Sequence, residues 1–161
     1  MKRTMRVLVL ALVAGCGGAA SGSSPSGSGA VHFSLPTNDG ALVSVPLTNT
    51  RTTVLDFWAI TCEPCKTTVP ELYARRAELE AKGARLVLVA VLADGESTEQ
   101  AKKTLVSWGV DAPFLIDRGQ VGRREAGVDT LPSTVILDGS GSVRWMAKGK
   151  TAAAKVVAAV P

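Results

Sequence analysis

From Val31 onward the apolar positions change period several times, and each change marks an element. His32-Phe33-Ser34-Leu35 and Leu42-Val43-Ser44-Val45 alternate apolar with polar residues around Asn38-Asp39-Gly40, the signature of a β-hairpin. Thr53 to Phe57 reads as a buried strand with one polar intruder, Asp56. Cys62 to Lys82 carries Val69, Leu72 and Leu79 among alanines and charges, which predicts a helix. Pro64 falls in its first turn, Pro70 should kink it, and Gly83 should close it. Arg85 to Ala93 is almost continuously apolar and β-branched, as in a central strand covered on both sides. A second helix is predicted over Ser97 to Trp108, a short strand over Phe114 to Ile116 and a short helix over Gly119 to Gly127. Ser133 to Leu137 and Val143 to Met146 form a second hairpin around Asp138-Gly139-Ser140-Gly141, and Thr151 to Val160 reads as a closing helix. This order predicts one α/β domain over residues 31–161, with a mixed sheet, helices on both faces and right-handed crossovers between parallel strands.

The first thirty residues follow a different logic. Met1 to Arg6 is basic, and Val7 to Ala14 is an eight-residue apolar run. As a helix that run rises about 12 Å, against ~30 Å of membrane hydrocarbon, so it reads as a secretory signal over residues 1–15. Val13-Ala14-Gly15-Cys16 resembles the bacterial lipobox, which implies lipid attachment at Cys16; the alternative is an ordinary signal with a cysteine near its cleavage point. Residues 16–30 are almost entirely Gly, Ser, Ala and Pro, a flexible tether by composition, whether or not an anchor precedes it.

Composition narrows the function. The formal net charge of +4 falls to +1 without Lys2, Arg3 and Arg6, so the body has no bias toward polyanions and nucleic acid drops out as a partner. Aromatics at 4% argue against a platform for stacked bases. One histidine, His32, excludes a multi-histidine metal centre and weighs against a Ser-His-Asp triad, so neither metal nor cofactor is expected.

The three cysteines divide into Cys16 and a C-x-x-C pair, Cys62 and Cys65, where the Thr53–Phe57 strand gives way to the following helix. A cysteine at a helix start meets unpaired N–H groups and the positive end of the helix dipole, which favours thiolate. Cys62 is therefore the expected nucleophile. Cys65, one turn on, lies within disulfide reach and would resolve a mixed disulfide. Zinc would need ligands that the sequence does not offer, and a static disulfide three residues long braces almost nothing. A lone peroxidatic cysteine is absent, which weighs against a peroxidase.

Val54-Leu55-Asp56-Phe57-Trp58-Ala59 followed by Cys62-Glu63-Pro64-Cys65-Lys66 resembles the thioredoxin active site. The wider chain resembles the TlpA/ResA-type branch of extracytoplasmic thioredoxin-like proteins. The resemblance covers roughly Val31 to Pro161, including the N-terminal hairpin, an inserted helix over Glu96 to Trp108, and Gly127-Val128-Asp129-Thr130-Leu131-Pro132-Ser133-Thr134. It implies a thioredoxin-like fold and four site residues. Cys62 and Cys65 match the attacking and resolving thiols, Pro132 the cis-proline beside them, and Asp56 a buried acid able to take the Cys65 proton. Trp58, Glu63, Pro64, Lys66 and Leu131 would be the site's neighbours, with Leu131 main-chain groups open to an extended peptide. Pro132 could instead be a trans turn proline, and Asp56 a hydrogen-bonded structural acid.

Thr61 stands where thioredoxin often has Trp, and Glu63 where it has Gly. A carboxylate beside Cys62 opposes thiolate formation and favours a reductant; alternatively Glu63 only complements the helix dipole. The resemblance implies a monomeric, lipid-anchored, extracytoplasmic thiol:disulfide reductase of the bacterial envelope. Protein disulfides would be its substrates, apocytochrome c among the conceivable targets, and a membrane thiol-disulfide donor would recharge it. A disulfide oxidase or isomerase, or a non-enzymatic binding lipoprotein, are the alternatives.

Overall fold

The computed structural model describes residues 29–161. The signal segment, Cys16 and all but the end of the tether lie outside the described residues. Twelve elements follow in chain order: β1 (Phe33–Pro36), β2 (Leu42–Val45), β3 (Thr52–Trp58), α1 (Cys65–Ala74), α2 (Arg76–Ala81), β4 (Ala84–Leu92), α3 (Thr98–Ser107), β5 (Phe114–Arg118), α4 (Val121–Glu125), β6 (Ser133–Asp138), β7 (Val143–Lys148) and α5 (Ala153–Ala159).

Strands β3 to β7 form one mixed sheet in the order β5-β4-β3-β6-β7, with β1 and β2 as a separate hairpin. β3, β4 and β5 are parallel, β6 runs antiparallel to β3, and β7 antiparallel to β6. The two parallel crossovers step the same way across the sheet, and their helices pack on the same face, so they share one hand. That face carries Val54, Trp58, Leu88, Ala90, Phe114, Ile116 and Ile136, covered by Val69 and Leu72 of α1, Leu79 of α2, Ala101 and Leu105 of α3, and Val156 of α5. The opposite face carries Leu55, Phe57, Val89, Val91, Val135 and Leu137, covered by Phe33, Leu35 and Val45 of the hairpin and by Ala126 and Val128 beyond α4. Helices lie on both faces, but the hairpin replaces much of the helical layer on the second.

The hairpin also protects the sheet edge. Asn38 N–H donates to the Phe114 carbonyl and its Oδ1 accepts from the Phe114 N–H, both at 3.0 Å, while Thr37 bridges Leu115. These contacts occupy the outer side of β5, where unpaired strand groups would otherwise invite another chain.

The helix expected over Cys62–Lys82 differs in two ways. It starts at Cys65, with Pro64 in the N-cap position at φ −62° and ψ −28° and residues 59–64 in tight turns ahead of it. Pro70 stays inside α1 and the interruption falls at Arg75, with φ −96° and ψ 11°. Pro70 frees only the carbonyl of Lys66, an exposed residue where solvent can satisfy it. Gly83 does close the run, at φ +76°, where the Arg51 guanidinium would lie 2.9 Å from a side-chain carbon. α3 starts as its capping box requires: Ser97 accepts from the Gln100 N–H and the Gln100 side chain accepts from the Ser97 N–H.

Replacing Asn38 by Ala would strand the N–H of buried Phe114. Asn38→Ala is expected to lower unfolding free energy by about 1–3 kcal/mol, and Asn38→Asp, which keeps an acceptor, by clearly less. Equal losses in urea melts of the two variants would show that the side-chain bond does not hold the hairpin to β5.

Candidate active site

β3 delivers the site from the middle of the sheet. All seven of its residues are buried. Alternation places Val54, Asp56 and Trp58 on the face under α1, and Leu55 and Phe57 on the other. After Trp58 the chain leaves the sheet in two turns, with Cys62 N–H donating to the Ala59 carbonyl and Cys65 N–H to the Cys62 carbonyl. α1 begins there.

Cys62 and Cys65 are joined in a disulfide with Cα atoms 5.3 Å apart. Cys62 is partly exposed, and Cys65 is fully buried. The asymmetry follows from position: Cys62 lies in the turn ahead of α1, whereas Cys65 is the first residue of its inward stripe with Thr68, Val69 and Leu72. Glu63, Pro64 and Lys66 are exposed around Cys62. Behind the pair, Trp58 is buried and meets Trp108 and Phe114 edge to face, at 5.4 and 5.7 Å between centroids. The pair is therefore open to solvent on one side and backed by aromatic packing on the other.

The segment leading into β6 reaches the same cluster. Leu131 is partly buried against it, and the Leu131–Pro132 bond is cis. The Pro132 carbonyl accepts from the Gly149 N–H at 2.8 Å, while the N–H and C=O of Leu131 make no hydrogen bond among the described residues. Arg123 grips the preceding residues, donating to the carbonyls of Val128 at 3.0 Å and Asp129 at 2.6 Å, and Lys148 pairs with the Asp129 carboxylate at 2.7 Å. A second cis bond, Val45–Pro46, ends the hairpin and was not foreseen from the sequence.

Asp56 is buried on the α1 face. Its Oδ1 accepts from the Thr134 hydroxyl at 2.9 Å. Its Oδ2, like Trp58 Nε1, has no partner among the described residues. Loss of solvent pushes the carboxyl up to about 7, and the Thr134 hydrogen bond opposes part of that rise. A carboxyl that titrates near neutrality can accept and return a proton at physiological pH, and Asp56 lies two residues before Trp58 on the sheet face that packs against the cysteine pair.

Cys62, Cys65, Trp58 and Leu131 thus come together in one apolar cluster, with Glu63, Pro64 and Lys66 at its rim and Asp56 along the same sheet face. Sequence reasoning missed Thr134. The only signal available was strand alternation, which needs the β3–β6 register to show that Thr134 stands opposite Asp56. It also missed the hold of Arg123 and Lys148 on the segment before Leu131.

Asp56 ordinarily titrates at 3.8, so the folded protein binds its proton more tightly than the unfolded chain. Below about pH 4 the acid is neutral in both states and adds no pH-dependent penalty. From there to about pH 7 the penalty grows as pH rises, and above that it is constant. Relative to Asp56→Asn, the parent should therefore lose roughly 2–4 kcal/mol between pH 4 and pH 8. Urea melts of both oxidised proteins measure this, and a pH-independent gap would mean that Asp56 is not buried with a raised titration point.

Comparison with known proteins agrees with this geometry. The family model described as AhpC/TSA family matches residues 26–146. The thiol-disulfide oxidoreductase ResA of Bacillus subtilis is 28% identical over 117 residues, which cover 73% of this chain and 64% of that protein. Sporulation thiol-disulfide oxidoreductase A of the same organism is 22% identical over 140 residues, 87% of this chain and 84% of the relative. A Chlorobium tepidum structure assigned to the thiol:disulfide interchange protein DsbE superposes with a TM-score of 0.69 at 28% identity, covering 82% of this chain and 95% of that one. The chain spans just under two thirds of the ResA protein it matches. With a family match running from before the hairpin into β7, and a thioredoxin-like mixed sheet beneath it, this chain belongs to the AhpC/TSA family.

Proposed function

We propose that this protein is a thiol:disulfide oxidoreductase that reduces disulfides in proteins. The observation that carries the reading is the paired state of Cys62 and Cys65, one sulfur accessible and one enclosed, beside a Leu131 whose main-chain groups are unpaired. The similarity to ResA and to the DsbE-type interchange protein supports the same chemistry.

In the reduced protein the Cys62 thiolate attacks one sulfur of a substrate disulfide. A mixed disulfide forms, and the first substrate thiolate leaves. Cys65 passes its proton to the Asp56 carboxylate and attacks Cys62 Sγ, which forms the Cys62–Cys65 bond and releases the second substrate thiolate. Two electrons pass from the pair to the substrate. Asp56 suits this role because its titration point near 7 leaves a useful fraction ionised at neutral pH. Leu131 and Pro132 would align an extended substrate segment next to Cys62.

Glu63 beside Cys62 disfavours the thiolate and so supports a reductant. The apolar run before Cys16 and the Gly/Ser segment after it support export and lipid anchoring in the bacterial envelope. A reductase there would need a membrane thiol-disulfide donor to recharge it, and we read the domain as a monomer. No helix among the described residues is long and apolar enough to cross a membrane. Apocytochrome c is one candidate substrate.

Cys65→Ser should hold partner proteins covalently on Cys62, seen as reductant-sensitive adducts on gels, whereas Cys62→Ser should trap none. Better trapping by the Cys62 variant would reverse the two roles, and no adducts from either variant would remove the enzymatic reading. Equilibration of the pair against glutathione should give a reduction potential near or below that of thioredoxin, about −270 mV. A value near −120 mV, that of a strong oxidant, would reverse the direction of transfer.

If Cys16 carries lipid, the mature protein should partition into detergent, and Cys16→Ser should move it to the aqueous phase. A parent protein already in the aqueous phase would overturn the anchor.

A further inference from the structure

We propose that Thr134 is a positioning residue of this site: its hydroxyl engages Asp56 Oδ1, fixes the carboxyl plane, favours the carboxylate form and leaves Oδ2 as the oxygen that exchanges a proton with Cys65. The inference rests on the reading of Asp56 as proton acceptor and deepens it to named atoms.

The geometry is specific. Asp56 and Thr134 stand directly opposite each other on the antiparallel strands β3 and β6. Both are buried, and their 2.9 Å bond is the one side-chain hydrogen bond that Asp56 makes. A rotation of the carboxyl about Cβ–Cγ would break it, so the two oxygens are not interchangeable. Oδ1 is committed and Oδ2 has no partner.

No other buried charge competes with Thr134 for Asp56. α1 brings the disulfide-bonded Cys65 sulfur and the Thr68 hydroxyl to the buried side, and the Thr68 hydroxyl donates back to the Pro64 carbonyl. β4 offers Leu88 and Ala90, α3 Ala101 and Leu105, and α5 Ala153, Val156 and Val157. Among the described residues the other buried acid is Asp117. It faces away and accepts from the N–H groups of Gly122 and Arg123. No lysine, arginine or histidine is buried there. Burial therefore sets the main shift of Asp56, and the Thr134 hydroxyl is the one side chain that hydrogen-bonds its carboxyl and opposes that shift. A hydrogen bond to the charged form is worth about one pH unit of acidity, the size seen for single bonds to buried carboxylates.

The test compares Thr134→Val, which keeps the shape and removes the hydroxyl, with Thr134→Ser, which keeps the hydroxyl. The Asp56 titration is followed directly by carboxyl-carbon NMR in the oxidised full-length protein, and the rate at which the reduced protein reduces a model protein disulfide is measured across pH. In Thr134→Val the Asp56 midpoint should rise by about one pH unit. From a starting midpoint near 7, that leaves about a tenth of the acid ionised at pH 7 in place of half, so the Cys65 step should slow about five-fold there and recover at pH 9. Thr134→Ser should retain the parent midpoint. A midpoint unmoved by Val, or moved equally by Val and Ser, overturns the assignment of Thr134. A raised midpoint with unchanged exchange rates upholds the hold of Thr134 on Asp56 and overturns instead the reading of Asp56 as the proton acceptor. If Val slows exchange by the same factor at every pH with no change in midpoint, Thr134 is structural only.

Discussion

β3 is enclosed on both faces along its whole length, and the rest of the molecule is arranged around that enclosure. An extended strand turns successive side chains to opposite sides, so a fully covered strand needs two separate layers. Here one is built from α1, α2, α3 and α5 and the other from the hairpin, α4 and the segment after it. Within such a strand any polar residue loses solvent completely. Asp56 is the one ionisable residue of β3, and its weakened acidity follows from where β3 runs more than from any neighbour chosen to perturb it. The same strand ends at Trp58, which fixes where the chain turns out of the sheet and hence where Cys62 emerges.

The aromatic group behind the disulfide belongs to the same constraint. Trp58, Trp108 and Phe114 come from β3, from the end of the inserted helix and from β5. Together they keep water away from the inner side of the Cys62–Cys65 pair. Low polarity there strengthens every electrostatic effect that remains, so one hydroxyl such as that of Thr134 can outweigh distant surface charges. Exposed charges farther from the pair act through solvent and are correspondingly damped.

Much of this was legible in the sequence because local chemistry and burial point the same way. The turn residues at Asn38-Asp39-Gly40 and Asp138-Gly139-Ser140-Gly141 gave both hairpins, and the apolar run at 85–93 gave the central parallel strand. The Cys62/Cys65 pair and the cis bond before Pro132 could be placed from motif and resemblance. The start of α1 could not be placed correctly from periodicity, which carries on smoothly through Cys62. Ahead of Cys65 the backbone closes short turns, Cys62 N–H to the Ala59 carbonyl and Cys65 N–H to the Cys62 carbonyl, in place of helical bonds. The break at Arg75 is not where proline chemistry alone would put it. Thr134 was invisible for another reason: its role depends on strand register across 78 residues, which no short stretch of sequence contains, and the bonds of Arg123 to Val128 and Asp129, though local, form only because the chain turns back on itself after α4.

The grip on the segment before Leu131 bears on partner choice. Arg123 holds the carbonyls of Val128 and Asp129, Lys148 holds the Asp129 side chain, and Gly149 holds the Pro132 carbonyl. The open main-chain groups of Leu131 are thus presented from a rigid mount. Freezing the backbone of one residue costs about 1–2 kcal/mol, and on this side of a complex that loss has already been taken during folding. The remaining entropic loss falls on whatever chain docks there. Between two partners with the same residues flanking a disulfide, the one whose segment is already restrained in an extended shape would bind more tightly, so selectivity would follow the partner's stiffness as much as its sequence.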